Sequence, residues 1–277
     1  MSNAEQRDFW DAQSSWVQFQ QAMDTTLQPV LDLVVNTAAL KAGETVLDVG
    51  CGTGASVAQI AAQVGTEGHV TGVDISTTLI SMARSRLEGV PQAELLLADA
   101  AETDLSRRYD AVLSRFGVMF FSDTTVAFSN IAQAVKPGGR FVLGTWAWAR
   151  ENPFFMMPAK IVRAQLGEMP PTDRTQPGPF AFENSARIIP MLTEAGLTDV
   201  VCTEVALELT VPGTPDDAAQ IFVEIGPAKG GMAHFEATDE QRDTVFRSIV
   251  SELKKLATPE GIRMPALINL YTARLPD

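Results

Sequence analysis

Short apolar runs alternate along this chain with longer stretches in which apolar residues return every three or four positions, and that alternation predicts its elements. Val46-Leu47-Asp48-Val49 reads as a buried strand running straight into a glycine-rich turn. Four more short strands follow it at 69–76, 95–100, 109–116 and, after a helix end and a Pro137-Gly138-Gly139 turn, Arg140-Phe141-Val142-Leu143. The segments 55–63, 76–88 and 125–135 between them have helical spacing. Parallel strands require such crossovers, so the chain predicts a doubly wound α/β sheet.

Upstream, Trp10, Trp16, Phe19, Met23 and Leu27 recur at helical spacing, and Pro29 opens the run Val30-Leu31-Asp32-Leu33-Val34-Val35. Two helices are therefore expected ahead of the first strand. Downstream, Glu183-Asn184-Ser185 starts a helix that ends at Gly196 in a left-handed cap. Residues 200–211 read as strand six, 212–223 and 236–256 as helices, and 267–274 as a seventh strand.

The turn Gly50-Cys51-Gly52-Thr53-Gly54 carries the chemistry. Glycines at alternate positions remove Cβ atoms that would hold a ligand away, permit positive φ and let backbone N–H groups face the ligand. Asp48, two residues before the first glycine, adds a negative charge at the strand's end. A diphosphate would be repelled there, whereas a cofactor with an ammonium or sulfonium centre would be attracted. Gly50, Gly52 and Ala55 also satisfy the looser dinucleotide fingerprint, and under either reading Asp74, roughly twenty residues on, is placed to accept from a ribose diol. Asp99, with the Ala100 N–H beside it, is placed to meet an adenine amino group and ring. That pair favours S-adenosylmethionine over a nicotinamide dinucleotide.

From about 46 to 146 the order and content of these blocks resemble the class I S-adenosylmethionine-dependent methyltransferases, in particular bacterial small-molecule enzymes similar to the ubiquinone and menaquinone biosynthesis group. The resemblance implies a Rossmann-like sheet of seven strands, the last inserted antiparallel between its neighbours, with a helical cap. It puts Gly50, Gly52 and Gly54 around the methionine part of the cofactor, Asp74 on the ribose, Asp99 and Ala100 on the adenine, and Ile75 and Leu79 against the ring. The Ser114 carbonyl would receive the cofactor's amino group, with Arg115 and Phe116 following it into the pocket. In related enzymes an N-terminal helix crosses the cofactor mouth, which makes Trp16, Phe19 and Gln20 candidate lid residues; the alternative is a helix that only covers the sheet. The implied organisation is a lid at 1–40, a cofactor-binding core at 41–150, and a cap insertion with completion of the sheet at 151–277.

Composition narrows the partners. The chain has 277 residues, 45% of them apolar, enough for one substantial core and a small cap. A formal charge of −13 would repel a phosphate backbone, so a small neutral or cationic substrate is expected rather than nucleic acid or an anionic membrane. No apolar run is long enough to span a bilayer and the first twenty residues lack a signal-peptide core, so a cytoplasmic chain is expected, with a homodimer left open. Cys51 and Cys202 show no metal-ligand spacing and read as packing residues; no metal is expected.

Substrate specificity is expected in the proline- and methionine-rich segment 151–182, where Phe154, Phe155, Met156 and Met157 either line an adaptable apolar pocket or pack the cap onto the core. The expected reaction is in-line transfer of the sulfonium methyl to a small hydrophobic or aromatic molecule, with S-adenosylhomocysteine as product; positioning supplies much of the rate. A general base, if used, would be His234, in the glycine-flanked segment 229–235, because His69 sits at the wrong end of its strand. Arg115 either orients a substrate carboxylate or phenolate or pairs with an acid such as Asp123, while Asp104 and Asp110 read as solvated loop residues. The competing functions are a cofactor-binding enzyme of non-methylating chemistry and a non-catalytic cofactor-binding partner subunit.

Overall fold

The computed structural model describes residues 3–12, 14–105 and 108–277. Three helices precede the sheet: α1 (Asn3–Asp11), α2 (Ser14–Gln18) and α3 (Gln20–Ala38). The alternating half is β1 (Thr45–Val49), α4 (Ala55–Val64), β2 (His69–Asp74), α5 (Thr77–Arg86), β3 (Ala93–Leu97), β4 (Tyr109–Arg115), α6 (Thr124–Gln133) and β5 (Val135–Trp146). Then come α7 (Pro153–Leu166), α8 (Ser185–Glu194), β6 (Thr198–Val211), α9 (Pro215–Glu224), α10 (Pro227–His234), α11 (Asp239–Leu253), β7 (Ala257–Thr258) and β8 (Gly261–Arg274).

The sheet order is β3-β2-β1-β4-β5-β8-β6, with the two-residue β7 pairing β8 off that path. The first five strands are mutually parallel, and β8 runs antiparallel to both β5 and β6. The mixed sheet with an antiparallel insertion is thus as expected, extended by one short strand. Because the chain reverses direction of travel between β3 and β4, β1 and β4 lie side by side with their carboxyl ends diverging into different loops, which is where ligands bind in open α/β sheets. Buried side chains of α3, α4 and α5 cover one face of the sheet. The larger core lies on the other face and reaches through α6 and α8 to α7, α9, α10 and α11, which pack on one another.

Several boundaries differ from the sequence reading. Pro29 lies inside the continuous 19-residue α3 rather than opening a helix. It removes one backbone donor to the Thr25 carbonyl, and the burial of Met23, Leu27, Val30, Leu31, Val34 and Val35 outweighs that loss. The Pro137-Gly138-Gly139 segment does not precede β5; pairing begins at Val135↔Tyr109 and the three residues form an irregularity inside the strand, with Gly138 at φ +69°. β8 starts at Gly261, six residues ahead of the expected 267, across Pro265. There β8 pairs β6 but not β5, so the missing proline N–H faces no partner strand. Residues 229–235, expected to be an open segment, lie mostly within α10.

Candidate functional site

The glycine turn gives its three glycines three different tasks. Gly50 (φ +70°) has no room for a side chain because a Cβ there would stand 2.5 Å from the Gly117 Cα. A Cβ on Gly54 (φ +83°) would press Ala83 at 3.0 Å and Leu87 at 3.2 Å, so this glycine lets α4 pack on α5 and opens α4 as its N-cap. Only Gly52 (φ +54°) faces open space. It lines the cavity, and Gly54 does not.

The neighbouring strand end locks this turn. Gly50 N–H and Cys51 N–H both donate to the Val73 carbonyl, at 2.9 and 3.1 Å. The Asp74 carboxylate accepts from Gly52 N–H at 2.8 Å through Oδ2 and from Ser76 N–H at 2.9 Å through Oδ1. An ionised carboxylate has about four acceptor sites, so both oxygens keep capacity for a diol. Burial pushes the Asp74 carboxyl up, and the backbone donors from Ser76, Gly52 and Ile75 oppose that shift. Asp99 lies just past β3 on the loop that Asn130 of α6 holds through the Ala100 and Thr103 carbonyls, both at 2.9 Å. Nothing in the strand pattern announced Asn130.

A cavity of about 280 Å³ opens beside these groups, lined by Gly50, Gly52, Asp74, Ile75, Leu79, Asp99, Ala100 and Arg115. All but Arg115, expected to orient substrate, are expected cofactor residues, and Leu79 and Ala100 are buried. Its far wall is aromatic: Trp10, Trp16, Phe116, Phe120, Phe121, Trp146, Phe154 and Phe155, with Met23 and Met119. Phe116 holds a left-handed conformation (φ +69°) and stacks on Trp146, ring centroids 4.5 Å apart; Phe155 meets Trp146 edge-on at 5.0 Å. Phe154 and Phe155 therefore do line the pocket, but Met156 points outward and is exposed, and Met157 is not on the wall. A helical segment turns about 100° per residue, so α7 cannot aim four consecutive side chains at one cavity.

Other expected residues lie elsewhere. Gln20 lines an open depression on the outside of α3, with Gln21, Asp24, Thr25, Gln28 and Arg86. Ser114, expected to act through its carbonyl, is buried, its hydroxyl donating to the Val49 carbonyl at 2.8 Å and accepting from Gly117 N–H at 3.1 Å. Asp48 is 1% exposed and accepts the Ser56 hydroxyl behind the turn. Burial pushes its carboxyl up to about 6, against the Ser56 bond and the Arg115 charge that favour ionisation. His234 is exposed at the end of α10, its ring edge-on to Phe235 at 4.8 Å, and is not on the cavity wall. His69 pairs Glu94 at 3.0 Å at the amino end of β2, far along the strand from the turn.

Two expected pairings change. Arg115 does not meet Asp123, which instead caps α6 by accepting from Val126 N–H at 3.0 Å; Arg115 Nη2 lies 3.9 Å from Asp24 of α3. Asp110 is no loop residue but sits in β4 and ties the strand starts together, accepting from Thr45 N–H at 2.9 Å and Lys136 Nζ at 2.7 Å. Burial alone would raise its carboxyl; those two donors hold it below the usual range. Among the described residues, no group of three or more His, Cys, Asp or Glu side chains is placed to hold a metal ion.

Residues 46–139 match the sequence family described as a methyltransferase domain. The chain is 32% identical over 144 residues, 51% of its own length and 57% of the relative's, to the demethylmenaquinone methyltransferase of Tropheryma whipplei strain Twist. It is 36% identical over 101 residues to the aklanonic acid methyltransferase DauC of Streptomyces sp. strain C5, covering 35% of this chain and 46% of that protein. The chain thus spans about half the length of the curated relatives it matches. Among solved structures, the phosphoethanolamine N-methyltransferase 2 of Haemonchus contortus, in complex with phosphomonomethylethanolamine and S-adenosylhomocysteine, superposes with a TM-score of 0.62 at 20% identity, over 98% of this chain and 60% of that one. The YcgJ protein of Bacillus subtilis superposes with a TM-score of 0.58 at 18% identity, over 90% and 99%. Residues 46–139 thus match a methyltransferase domain, and over about half of its length the chain is similar to a demethylmenaquinone methyltransferase.

Proposed function

We propose that the protein is an S-adenosylmethionine-dependent methyltransferase that acts on a small hydrophobic or aromatic molecule by in-line methyl transfer. The observation that carries the reading is one cavity with two unlike ends, polar and glycine-lined at the strand termini and aromatic on the far wall. The fit of the cofactor rests on the chain itself. Gly52 leaves open the space that a Cβ would enter, and the Asp74 carboxylate is held in one orientation with acceptor capacity to spare.

In this reading Asp74 accepts the ribose diol, Asp99 and the Ala100 N–H meet the adenine edge, and Ile75 and Leu79 flank the ring. The bound cofactor supplies the electrophilic methyl group. The aromatic wall excludes water and presents the acceptor, so orientation contributes most of the acceleration. Proton abstraction by His234 would require α10 to move, because the imidazole lies off the wall. The relatives named for demethylmenaquinone and aklanonic acid support a small-molecule acceptor here too. The charge of −13 disfavours nucleic acid, and we place the enzyme in the cytoplasm, as a monomer or homodimer to be read by sedimentation.

Calorimetric titration with S-adenosylmethionine, S-adenosylhomocysteine and NAD tests the core of this. Saturable binding of the adenosyl pair alone is expected, followed by methyl transfer from a labelled donor to a panel of hydrophobic acceptors. Binding of NAD alone would overturn it.

A further inference from the structure

The cavity, at about 280 Å³, lies just under the roughly 300–1,000 Å³ that one drug-sized ligand takes, yet methyl transfer needs cofactor and acceptor side by side. The conformation is therefore a closed one, and α1 and α2 are its lid: Phe9, Trp10 and Trp16 all stand on the cavity wall. Helices of nine and five residues are too short to persist alone, so what they touch decides where they lie. Trp10 meets Phe120 edge-on at 5.0 Å and Trp16 at 6.1 Å. On the core side, Asp11 Oδ1 accepts from the Ser76 hydroxyl at 2.9 Å, and the Asp11 carbonyl accepts from the Thr78 hydroxyl at 3.4 Å.

The cap side has a fastening of another kind. The Ser15 hydroxyl of α2 donates to Glu224 Oε2 of α9 at 3.2 Å and accepts from Lys229 Nζ of α10 at 3.0 Å, across 209 and 214 positions of sequence. Ser15 is 5% exposed, so an anion and a cation meet one buried hydroxyl that serves as donor to the first and acceptor from the second. Both ends of this clasp belong to the cavity wall: Trp16 follows Ser15, and Ile225 and Gly226 lie in the turn between Glu224 and Lys229. Because α9 and α10 pack on each other and on α11 and α7, the lid is the side that moves. We propose that Ser15 is a positioning residue, the catch of a lid that parts from Glu224 and Lys229 to admit cofactor and acceptor. On closing it engages them again, sets Trp16 against the bound pair and excludes water. This rests on the methyltransferase reading above. Hydrogen bonds to charged groups are strong enough to hold the lid shut, and two of them are few enough to break at each turnover. Asp11 keeps the lid tethered to the core meanwhile.

Stopped-flow mixing with S-adenosylhomocysteine, read by the fluorescence of Trp10, Trp16 and Trp146 on the wall, tests the catch. Ser15→Ala should speed both association and dissociation by roughly tenfold, the size of a lost hydrogen bond to a charged group, and leave Kd within about twofold. Lys229→Met, which removes one of the two charges, should move both rates the same way by less. A side chain that only braces the fold would lower the melting temperature and leave both rates alone, and that result overturns the proposal. So does a change in Kd carried by dissociation alone, which would make Ser15 part of the ligand site. Should the variants not fold, hydrogen exchange on the parent chain answers. The amides of α1 and α2 should exchange faster than those of α9 and α10 in the free chain and slow when S-adenosylhomocysteine is bound; equal exchange with and without the ligand overturns the catch. A parent chain that does not bind S-adenosylhomocysteine at all overturns the cofactor reading, and the catch with it.

Discussion

Gly50 and Gly117 meet backbone to backbone across the ends of β1 and β4, so that a Cβ on either would stand within 2.6 Å of the other's Cα. The contact joins the glycine turn to the loop that presents Phe116 and the aromatic wall. Gly117→Ala should therefore cost roughly 1–3 kcal/mol of stability by overpacking, because the obstructing atoms are backbone. Gly52→Asn should behave in the opposite way. Asparagine tolerates the left-handed conformation at φ +54°, and nothing in the protein obstructs its Cβ, but its side chain would occupy the ligand's space. Melting curves should show the first variant weakened and the second close to the parent, while calorimetry should show at least a tenfold loss of S-adenosylhomocysteine affinity in the second.

Asp74→Asn tests the ribose contact. The amide has only one acceptor oxygen for the Gly52 and Ser76 N–H groups that now use two, and its NH₂ must face one of them. Affinity for S-adenosylhomocysteine should fall by about 10- to 100-fold. The loss should shrink for an analogue without the ribose hydroxyls; an equal loss for both ligands would mean that Asp74 only braces the turn.

The sheet was legible because its strands are short apolar runs punctuated by glycine, and the polar end of the cavity was legible because Gly52, Asp74, Asp99 and Ala100 lie at strand ends that the sequence marks directly. The aromatic end was not. Trp10, Phe120 and Met23 reach one wall from α1, the turn after β4, and α3, and no local spacing records that convergence. Arg115 was visible as a residue, but its partner Asp24 lies in a helix ninety-one positions upstream. Asp123, the nearer acid, was already committed to capping α6.

Asp48 should leave a signature in the pH dependence of stability. Its carboxyl is raised from 3.8 in the unfolded chain to about 6 in the fold, chiefly by burial. Between those values the folded state holds the extra proton, so stability falls as pH rises through this window, by about 3 kcal/mol in total, and is flat in this respect above it. Asp48→Asn keeps the shape and removes the charge. The variant should match the parent near the lower bound and exceed it at neutral pH in denaturant titrations. If Asp48 is ionised by a cationic tail, the parent's affinity for the cofactor should also rise with pH through about 6, and the variant's should not.

His234 and Phe155 separate base catalysis from positioning. His234 is exposed and off the wall, whereas Phe155 lines it, edge-on to Trp146 at 5.0 Å and to Phe180 at 5.0 Å. His234→Ala should change kcat by less than about twofold, since a base must come within hydrogen-bond reach of the proton it takes. Phe155→Leu keeps an apolar side chain but removes the ring-to-ring contacts that fix the wall, worth about 0.5–1.5 kcal/mol each. It should raise KM for the acceptor several-fold while leaving S-adenosylhomocysteine affinity in place. A large loss of kcat in His234→Ala, with its pH profile shifted, would show that α10 closes over the cavity during turnover and brings the imidazole to the acceptor.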